Sequence, residues 1–256
     1  MNRRTFLGTS TLAAVPATAA GVESSHQYVA LTFYDLHNSS DNQSKRLKDF
    51  LEQAHLPAAK RVGISSVGYF QVYLGPEMPR LVSLCAYASL ADVEAKRAVM
   101  RKDKEWMSAV KQVSASSAIF DRKQVWLLRT FDAHPRVEAP QIVAGKKPRF
   151  FDLRTYESES LHKGNLKVEM FNSGEIDIFR ATGLNPVFFG QTLFGAKMPN
   201  LTYMVWYDDW DAREAAWTKF RNHPDWKKMS SDPRWKGTVS NITNTFLQPL
   251  KFSPIR

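Results

Sequence analysis

The sequence predicts an α+β protein made of two tandem copies of one unit, packed sheet against sheet. Three observations lead to this prediction: a long internal repeat, a β-α-β-β-α-β order of elements in each copy, and a linker with three prolines between the copies. The 256 residues suffice for one large domain or two small ones. An apolar content of 43% can fill a sizeable core.

The internal repeat aligns residues 63–106 with residues 183–226 at a constant offset of 120 positions and without a gap. Twelve of the 44 aligned positions are identical. The clearest block is Gly-Pro-Glu-Met-Pro-Arg-Leu at 75–81 against Gly-Ala-Lys-Met-Pro-Asn-Leu at 195–201. A self-match of this length is typical of a duplicated structural unit.

The same elements are expected in both copies. In the first copy we expect a strand at 28–34, a helix at 42–61, strands at 67–74 and 81–87, a helix from Ser89 to Trp106 and a strand at 125–131. The corresponding elements of the second copy are expected at 150–156, 163–181, 187–194, 201–207, from Asp209 to Trp226, and at 243–252. Alternating apolar residues indicate the first strands, Gly63 and Gly183 are typical helix ends, and Ser89 and Asp209 are typical helix N-caps.

This order of elements is that of the ferredoxin-like unit. Such a unit covers one face of its sheet with two helices and leaves the other face bare, and a partly apolar bare face must be buried. Two copies in one chain allow the bare faces to meet. We therefore expect one domain at 26–132, a linker at 133–148 and a second domain at 149–256.

The N-terminus has the pattern of an export signal. Arg3-Arg4 precedes a mildly apolar stretch and the small-residue site Ala17-Thr18-Ala19. The pattern predicts a twin-arginine signal peptide at 1–20 and a periplasmic or secreted protein. The apolar stretch is too short to span a bilayer, so no integral membrane segment is expected after cleavage.

The charge and the cysteine content exclude several classes of function. The formal net charge is +10, which suits nucleic acid or an anionic surface, but Lys and Arg are scattered and no nucleic-acid motif occurs. We therefore expect no nucleic-acid partner. Cys85 is the single cysteine, so an intrachain disulfide and Cys-pair zinc sites are excluded. No phosphate loop, nucleophile elbow or Cys/His cluster occurs, and no metal is expected.

A set of motifs in the second copy resembles the NIPSNAP domain. The set comprises Phe-Asp-Leu-Arg-Thr-Tyr at 151–156, the Gly-x-x-Met-Pro turn, an aromatic strand ending in Tyr207, Asp209-Trp210, and His-Pro-Asp-Trp at 223–226. The first copy is similar but more diverged, and the resemblance covers nearly all of the chain after the signal. It implies a dimeric α+β barrel, here formed within one chain. Relatives in that group include cofactor-free monooxygenases, isomerases and haem enzymes, so the resemblance implies a fold and not a reaction.

Polar residues of the first strands are the main site candidates. Tyr34 and Tyr156 are equivalent in the two copies, and we place them on the strand face that points away from the helices. In a barrel they would face the interior cleft together with Asp152 and Arg154, with Arg154 as donor to an anion or carbonyl. The alternative is an Arg–Asp pair and two phenols that only satisfy one another inside the barrel.

His55 and Glu175 are the second group of candidates, because they match in position near the ends of the first helices. His55 could act as a general base or a haem ligand, and the carboxylate in the other copy would make the two pockets unlike. The alternative for His55 is a helix-end residue beside the last carbonyl groups.

These candidates lead to three functional hypotheses. The first is an exported protein that binds a small organic ligand in the barrel cleft, with Tyr34, Asp152, Arg154, Tyr156 and Glu175 as ligand-binding residues. The second is a cofactor-independent monooxygenase or isomerase that uses His55, Tyr34, Tyr156 and Arg154. The third is a non-catalytic interaction protein, and a homo-oligomer is a further alternative. No cofactor is expected, although haem and flavin are not excluded.

Overall fold

A computed structural model of the chain describes residues 26–38, 40–64, 66–115, 117–142 and 148–256. The predicted signal peptide at 1–20 and part of the predicted linker, residues 143–147, lie outside the described residues. Within the described ranges, no helix is long and apolar enough to cross a bilayer.

Eight antiparallel strands form one closed barrel, as the sequence predicts. The strands are β1 (Tyr28–Asp35), β2 (Ser66–Leu74), β3 (Arg80–Tyr87), β4 (Arg122–Thr130), β5 (Phe150–Glu157), β6 (Asn185–Phe194), β7 (Asn200–Tyr207) and β8 (Asn241–Pro249). Their order around the barrel is β1-β3-β2-β8-β5-β7-β6-β4. Each copy supplies four adjacent strands, and the copies join through the pairs β2–β8 and β4–β6. Closure leaves no free edge among the eight strands that the structure describes.

Helices cover the outside of the barrel. They are α1 (Gln43–Phe50), α2 (Leu56–Arg61), α3 (Leu90–Met100), α4 (Lys104–Ser114), α5 (Leu161–Met170), α6 (Ile176–Thr182), α7 (Trp210–Asn222) and α8 (Pro224–Ser231), with a short 3-10 helix at Pro233–Trp235. A π-helical segment joins α1 to α2 at Leu51–His55, and another joins α5 to α6 at Phe171–Glu175. The two segments match residue for residue at the repeat offset of 120.

The second helix of each copy is divided: the helix expected from Ser89 to Trp106 ends at Met100, and the one expected from Asp209 to Trp226 ends at Asn222, where His223-Pro224 in the sequence indicates a break with Pro at a new first turn. In the first copy the Asp103 carboxylate accepts a hydrogen bond from the Trp106 backbone N–H at 2.9 Å, and this N-cap starts a new helix. In the second copy Pro224 starts the new helix, as its missing N–H favours. Both tryptophans therefore lie in the first turn of the following helix.

The barrel interior is a packed apolar core shared by the two copies. Phe70 of the first copy meets Phe151 of the second with 5.0 Å between ring centroids. The remaining interior residues include Val29, Leu31, Phe33, Leu84, Trp126, Leu153, Phe188, Met204 and Leu247, all buried. Two separate apolar layers lie outside the barrel, one under the helices of each copy. The molecule thus has three apolar cores: the barrel core in the middle and a helix-covered layer on either side of it.

Residues of the predicted linker pack on both copies at their junction. The Gln27 backbone N–H donates to the Pro135 carbonyl at 2.9 Å, and the Gln27 side chain accepts from the Val137 N–H at 2.7 Å. His134 is buried, and its Nδ1 lies 2.8 Å from an Arg180 guanidinium nitrogen. These contacts tie the linker to the start of the first copy and to α6 of the second.

Candidate functional site

The candidate site residues of the first strands lie under the helices and not in the barrel interior. The prediction that they lie on the strand face pointing away from the helices was wrong. Tyr34 belongs to the helix-side layer of the first copy and Tyr156 to that of the second. The interior face of β1 and β5 carries apolar residues such as Phe33 and Leu153. The reason is physical: two sheets packed face to face exclude water completely, so the more apolar face of each strand turns inward.

The candidates also separate into two sites. Asp152, Arg154, Tyr156 and Glu175 lie in the layer of the second copy. Tyr34 and the partner of His55, Tyr69, lie in the layer of the first copy. The barrel core stands between these layers, so a single site that combines His55, Tyr34, Arg154 and Tyr156 is wrong.

The second layer contains a buried row of charged groups. Asp152 is 0% exposed. Its Oδ2 lies 3.6 Å from Arg154 Nη1 and 3.4 Å from Arg213 Nε. Arg213 comes from the first turns of α7, which Asp209 begins by capping the Ala212 N–H at 2.7 Å. Alternation on β5 places Asp152 and Arg154 on one face, and α7 brings Arg213 over them.

The charges of this row are poorly compensated by hydrogen bonds. Charge-assisted hydrogen bonds usually measure about 2.7–2.9 Å, and both arginines stand farther than that from Asp152. Asp152 Oδ1, Arg154 Nε and Asn244 Oδ1 have no hydrogen-bond partner among the described residues. Burial raises the pKa of the Asp152 carboxyl above its ordinary value, although the charges of Arg154 and Arg213 act to lower it.

The inner end of the row continues into two phenols. Arg154 Nη2 donates to the Tyr156 hydroxyl at 3.3 Å, and the Tyr156 and Tyr203 hydroxyls are 2.8 Å apart. Burial raises the pKa of Tyr203 well above its ordinary value, so this phenol stays neutral. The Arg154 guanidinium also lies 4.7 Å from the centre of the Trp217 ring. Aromatic groups therefore help to hold the cation in place.

Glu175 is paired within the same layer. Its Oε2 accepts a hydrogen bond from the Lys167 ammonium at 2.7 Å, and both side chains are buried. The ammonium stands 4.7 Å from the centre of the Phe171 ring. Burial raises the pKa of Glu175, and the Lys167 charge opposes that change. Unlike Asp152 and its two arginines, Lys167 and Glu175 lie within normal hydrogen-bond distance and compensate each other's charge.

The first layer holds uncharged groups at the corresponding place. His55, the last residue of its π-helical segment, shares a hydrogen bond of 2.5 Å with the Tyr69 hydroxyl. Burial, and then the Lys123 charge, lower the pKa of His55 to about 4, so the ring is neutral at pH 7. Burial raises the pKa of Tyr34 and that of Cys85 to about 12. Neutral imidazole and phenol groups thus replace the ions of the second layer.

The sequence alone did not identify Arg213, Lys167, Tyr203 or Trp217 as residues of the site. A signal existed in the comparison of the two copies: Val93 stands at the position of Arg213 and Leu47 at that of Lys167. A charged residue that replaces an apolar one at a repeated helix position marks a local change of environment. Across the described ranges, no three His, Cys, Asp or Glu side chains gather in a way that could bind a metal ion.

Comparison with known proteins agrees with the duplicated barrel. The NIPSNAP family model matches residues 29–132 and again 151–254. Among curated proteins, none matches the chain.

Solved structures resemble the chain over most of its length. A proposed monooxygenase from Lactobacillus acidophilus is 9% identical, with a TM-score of 0.56 over 88% of this chain and 94% of that one. An anthrone oxidase-like protein is 12% identical, with a TM-score of 0.50 over 89% of this chain and 93% of that one. A NIPSNAP family protein from Agrobacterium tumefaciens is 19% identical over 43% of this chain and 90% of its own, with a TM-score of 0.36. At such identities the first two share the barrel fold with this chain.

Proposed function

The chain belongs to the NIPSNAP family in both of its copies, and from this premise we propose that it binds a small organic anion under the helices of the second copy. The anion, a carboxylate, would contact Arg154 and Arg213 beside Asp152. The observation that supports this proposal is the buried, poorly compensated row of these three side chains.

The charge of the row favours an anion. Two guanidinium groups and one carboxylate leave a buried excess of one positive charge. Glu214 also contacts Arg213, at 2.5 Å, but its side chain is 63% exposed and water screens it. Burying charge without compensation is costly, so a structural role alone would favour equal numbers of the two signs or none. A bound monoanion would neutralise the row and give Arg154 Nε an acceptor.

A titration with benzoate, followed by ligand-observed NMR on the full chain, tests the proposal. Arg154→Gln removes one charge-assisted contact and should weaken binding at least tenfold. Thr32→Ala is the matched control, because Thr32 occupies the position of Arg154 in the first copy, and it should leave the affinity unchanged. Equal binding by wild type and Arg154→Gln, or no binding by wild type, would refute the anion site.

A second candidate function is a cofactor-independent oxygenase reaction in the first layer. The observation that favours it is the 2.5 Å hydrogen bond between His55 Nδ1 and the Tyr69 hydroxyl, because an imidazole and a phenol that share a proton can move one to or from a bound substrate. Oxygen uptake with an anthrone as probe should then disappear in His55→Gln. It should persist in Glu175→Gln, which alters the equivalent position of the other copy. No uptake by wild type would argue against this reaction.

We also propose that residues 1–20 direct twin-arginine export to the periplasm or medium and that the folded chain holds no tight cofactor. Arg3-Arg4 and Ala17-Thr18-Ala19 support the first proposal. Replacing both arginines by lysine should retain the protein inside the cell, and normal export of that variant would contradict the route. The visible absorption spectrum of the purified chain should lack haem and flavin bands.

A further inference from the structure

We infer that the anion is an aromatic carboxylate, whose ring stacks on Trp210 while its carboxylate contacts Arg213. This inference rests on the proposed anion site and specifies the chemical class of its ligand.

An aromatic surface lies at the outer end of the charged row. The Trp210 ring stacks on Phe150 with 4.5 Å between centroids and an interplanar angle of 25°. Phe246 meets Trp210 edge-on at 4.9 Å. Trp210 is nevertheless 41% exposed, so part of its ring is open to solvent. A planar aromatic ring would gain stacking contacts on this surface.

Arg213 connects this aromatic surface to the buried row. Its guanidinium carbon lies 5.0 Å from the centre of the Phe246 ring and 5.8 Å from that of Trp210. The same guanidinium faces Asp152 at 3.4 Å. One small molecule can therefore contact the indole with its ring and the guanidinium with its carboxylate, which is the group that this planar donor matches best.

The strand register gives the site a direction. Phe150, Asp152 and Arg154 follow one another on the same face of β5, about 7 Å apart at each step. Phe246 pairs with Asp152 across to β8, and Asn244 pairs with Arg154. Along β5 the surface thus changes from aromatic and partly solvent-exposed to charged and buried. Such a surface suits a molecule with an apolar ring at one end and an anionic group at the other.

The first copy lacks the indole, both guanidinium groups and the buried carboxylate of this surface. Leu90 and Val93 stand at the positions of Trp210 and Arg213, and Ala30 and Thr32 at those of Asp152 and Arg154. The indole of Trp210 and the two cationic groups thus occur together in the second copy, and the first copy has none of these three groups. We therefore expect one ligand per chain.

Three probes test the ligand class on the full chain: benzoate, cyclohexanecarboxylate and benzamide. Benzoate should bind with one site per chain and about fivefold more tightly than cyclohexanecarboxylate, because only the aromatic ring stacks. Benzamide should bind at least tenfold more weakly than benzoate, since it lacks the charge. Trp210→Leu, which installs the first-copy residue, should abolish the preference for benzoate. Arg221→Gln, an exposed arginine on the same helix, is the control and should change nothing.

The outcomes separate this inference from the anion site. Equal binding of benzoate and cyclohexanecarboxylate by wild type would overturn the aromatic class and leave the anion site standing. Absence of binding by both carboxylates, or equal binding of benzamide, would overturn the anion site as well. Two benzoate sites per chain would contradict the assignment to the second copy. The comparison of the three probes on wild type needs no variant, so it tests the ligand class even if Trp210→Leu misfolds.

Discussion

The buried pair of Lys167 and Glu175 gives a prediction whose size follows from the structure. Lys167→Met leaves the Glu175 carboxylate without a partner in a layer where both side chains are at most 6% exposed. Breaking such a pair typically lowers the free energy of unfolding by about 3–5 kcal/mol. Protonation of Glu175 limits the loss, so we expect about 3 kcal/mol at pH 7 in urea unfolding. The double variant Lys167→Met with Glu175→Gln should regain at least half of it, because Leu47 in the first copy shows that the scaffold accepts an apolar side chain there.

The loss should also depend on pH, with a defined sign. Without the Lys167 charge, the pKa of Glu175 rises further above its unfolded value, and the folded variant binds a proton that the unfolded chain releases. The deficit of Lys167→Met should therefore shrink as the pH falls from 7 toward 5. Lys45→Met is the matched control, because the Lys45–Asp49 pair is exposed and its removal should cost less than about 1 kcal/mol. A double variant as unstable as the single one, or a deficit that grows toward low pH, would refute this reasoning.

Four further predictions concern the first layer, the barrel core and the proposed anion site. The folded pKa of His55 is about 4, so its contribution to stability is present above the unfolded pKa and is lost as the pH falls. In urea unfolding, wild type should lose about 2 kcal/mol of the free energy of unfolding between pH 7 and pH 5. His55→Gln should not show that loss. Phe70→Ala removes a ring that packs across the barrel on Phe151 and should lower the free energy of unfolding by about 3–5 kcal/mol. The two copies should still unfold in one common transition. Separate transitions would contradict the shared core. Cys85, whose pKa burial raises to about 12, should resist a thiol reagent in the folded chain and react at once in denaturant. Benzoate affinity should increase as the pH falls through the raised pKa of Asp152, because protonation removes the negative charge beside the ligand carboxylate; Asp152→Asn should abolish this pH dependence.

The fold could be predicted from the sequence because its signals are local and occur twice. The capping residues Ser89 and Asp209 and the Gly-x-x-Met-Pro turns fix the ends of elements, and the repeat fixes their order. The face of the strands could not be predicted in the same way. β3 is buried at all eight positions and β5 at six, so both faces of the sheet are covered and apolar alternation does not distinguish barrel from helix layer.

The site depended on a contact that no sequence spacing reveals. Alternation placed Asp152, Arg154 and Tyr156 together on β5, and that grouping holds in the structure. Arg213 reaches Asp152 only because α7 lies across the strand face, 61 residues farther along the chain. A sequence pattern records positions within one element, whereas the angle at which a helix crosses a sheet is set by tertiary packing.

A crystal structure of the full chain with 4-bromobenzoate tests the central claim most directly, because anomalous scattering locates the bromine without ambiguity. The proposed site predicts one bromine peak per chain beside Trp210, with the carboxylate of the ligand on the Arg213 guanidinium. A peak inside the barrel or under the helices of the first copy would contradict the site. The absence of any peak at a saturating concentration would contradict it equally.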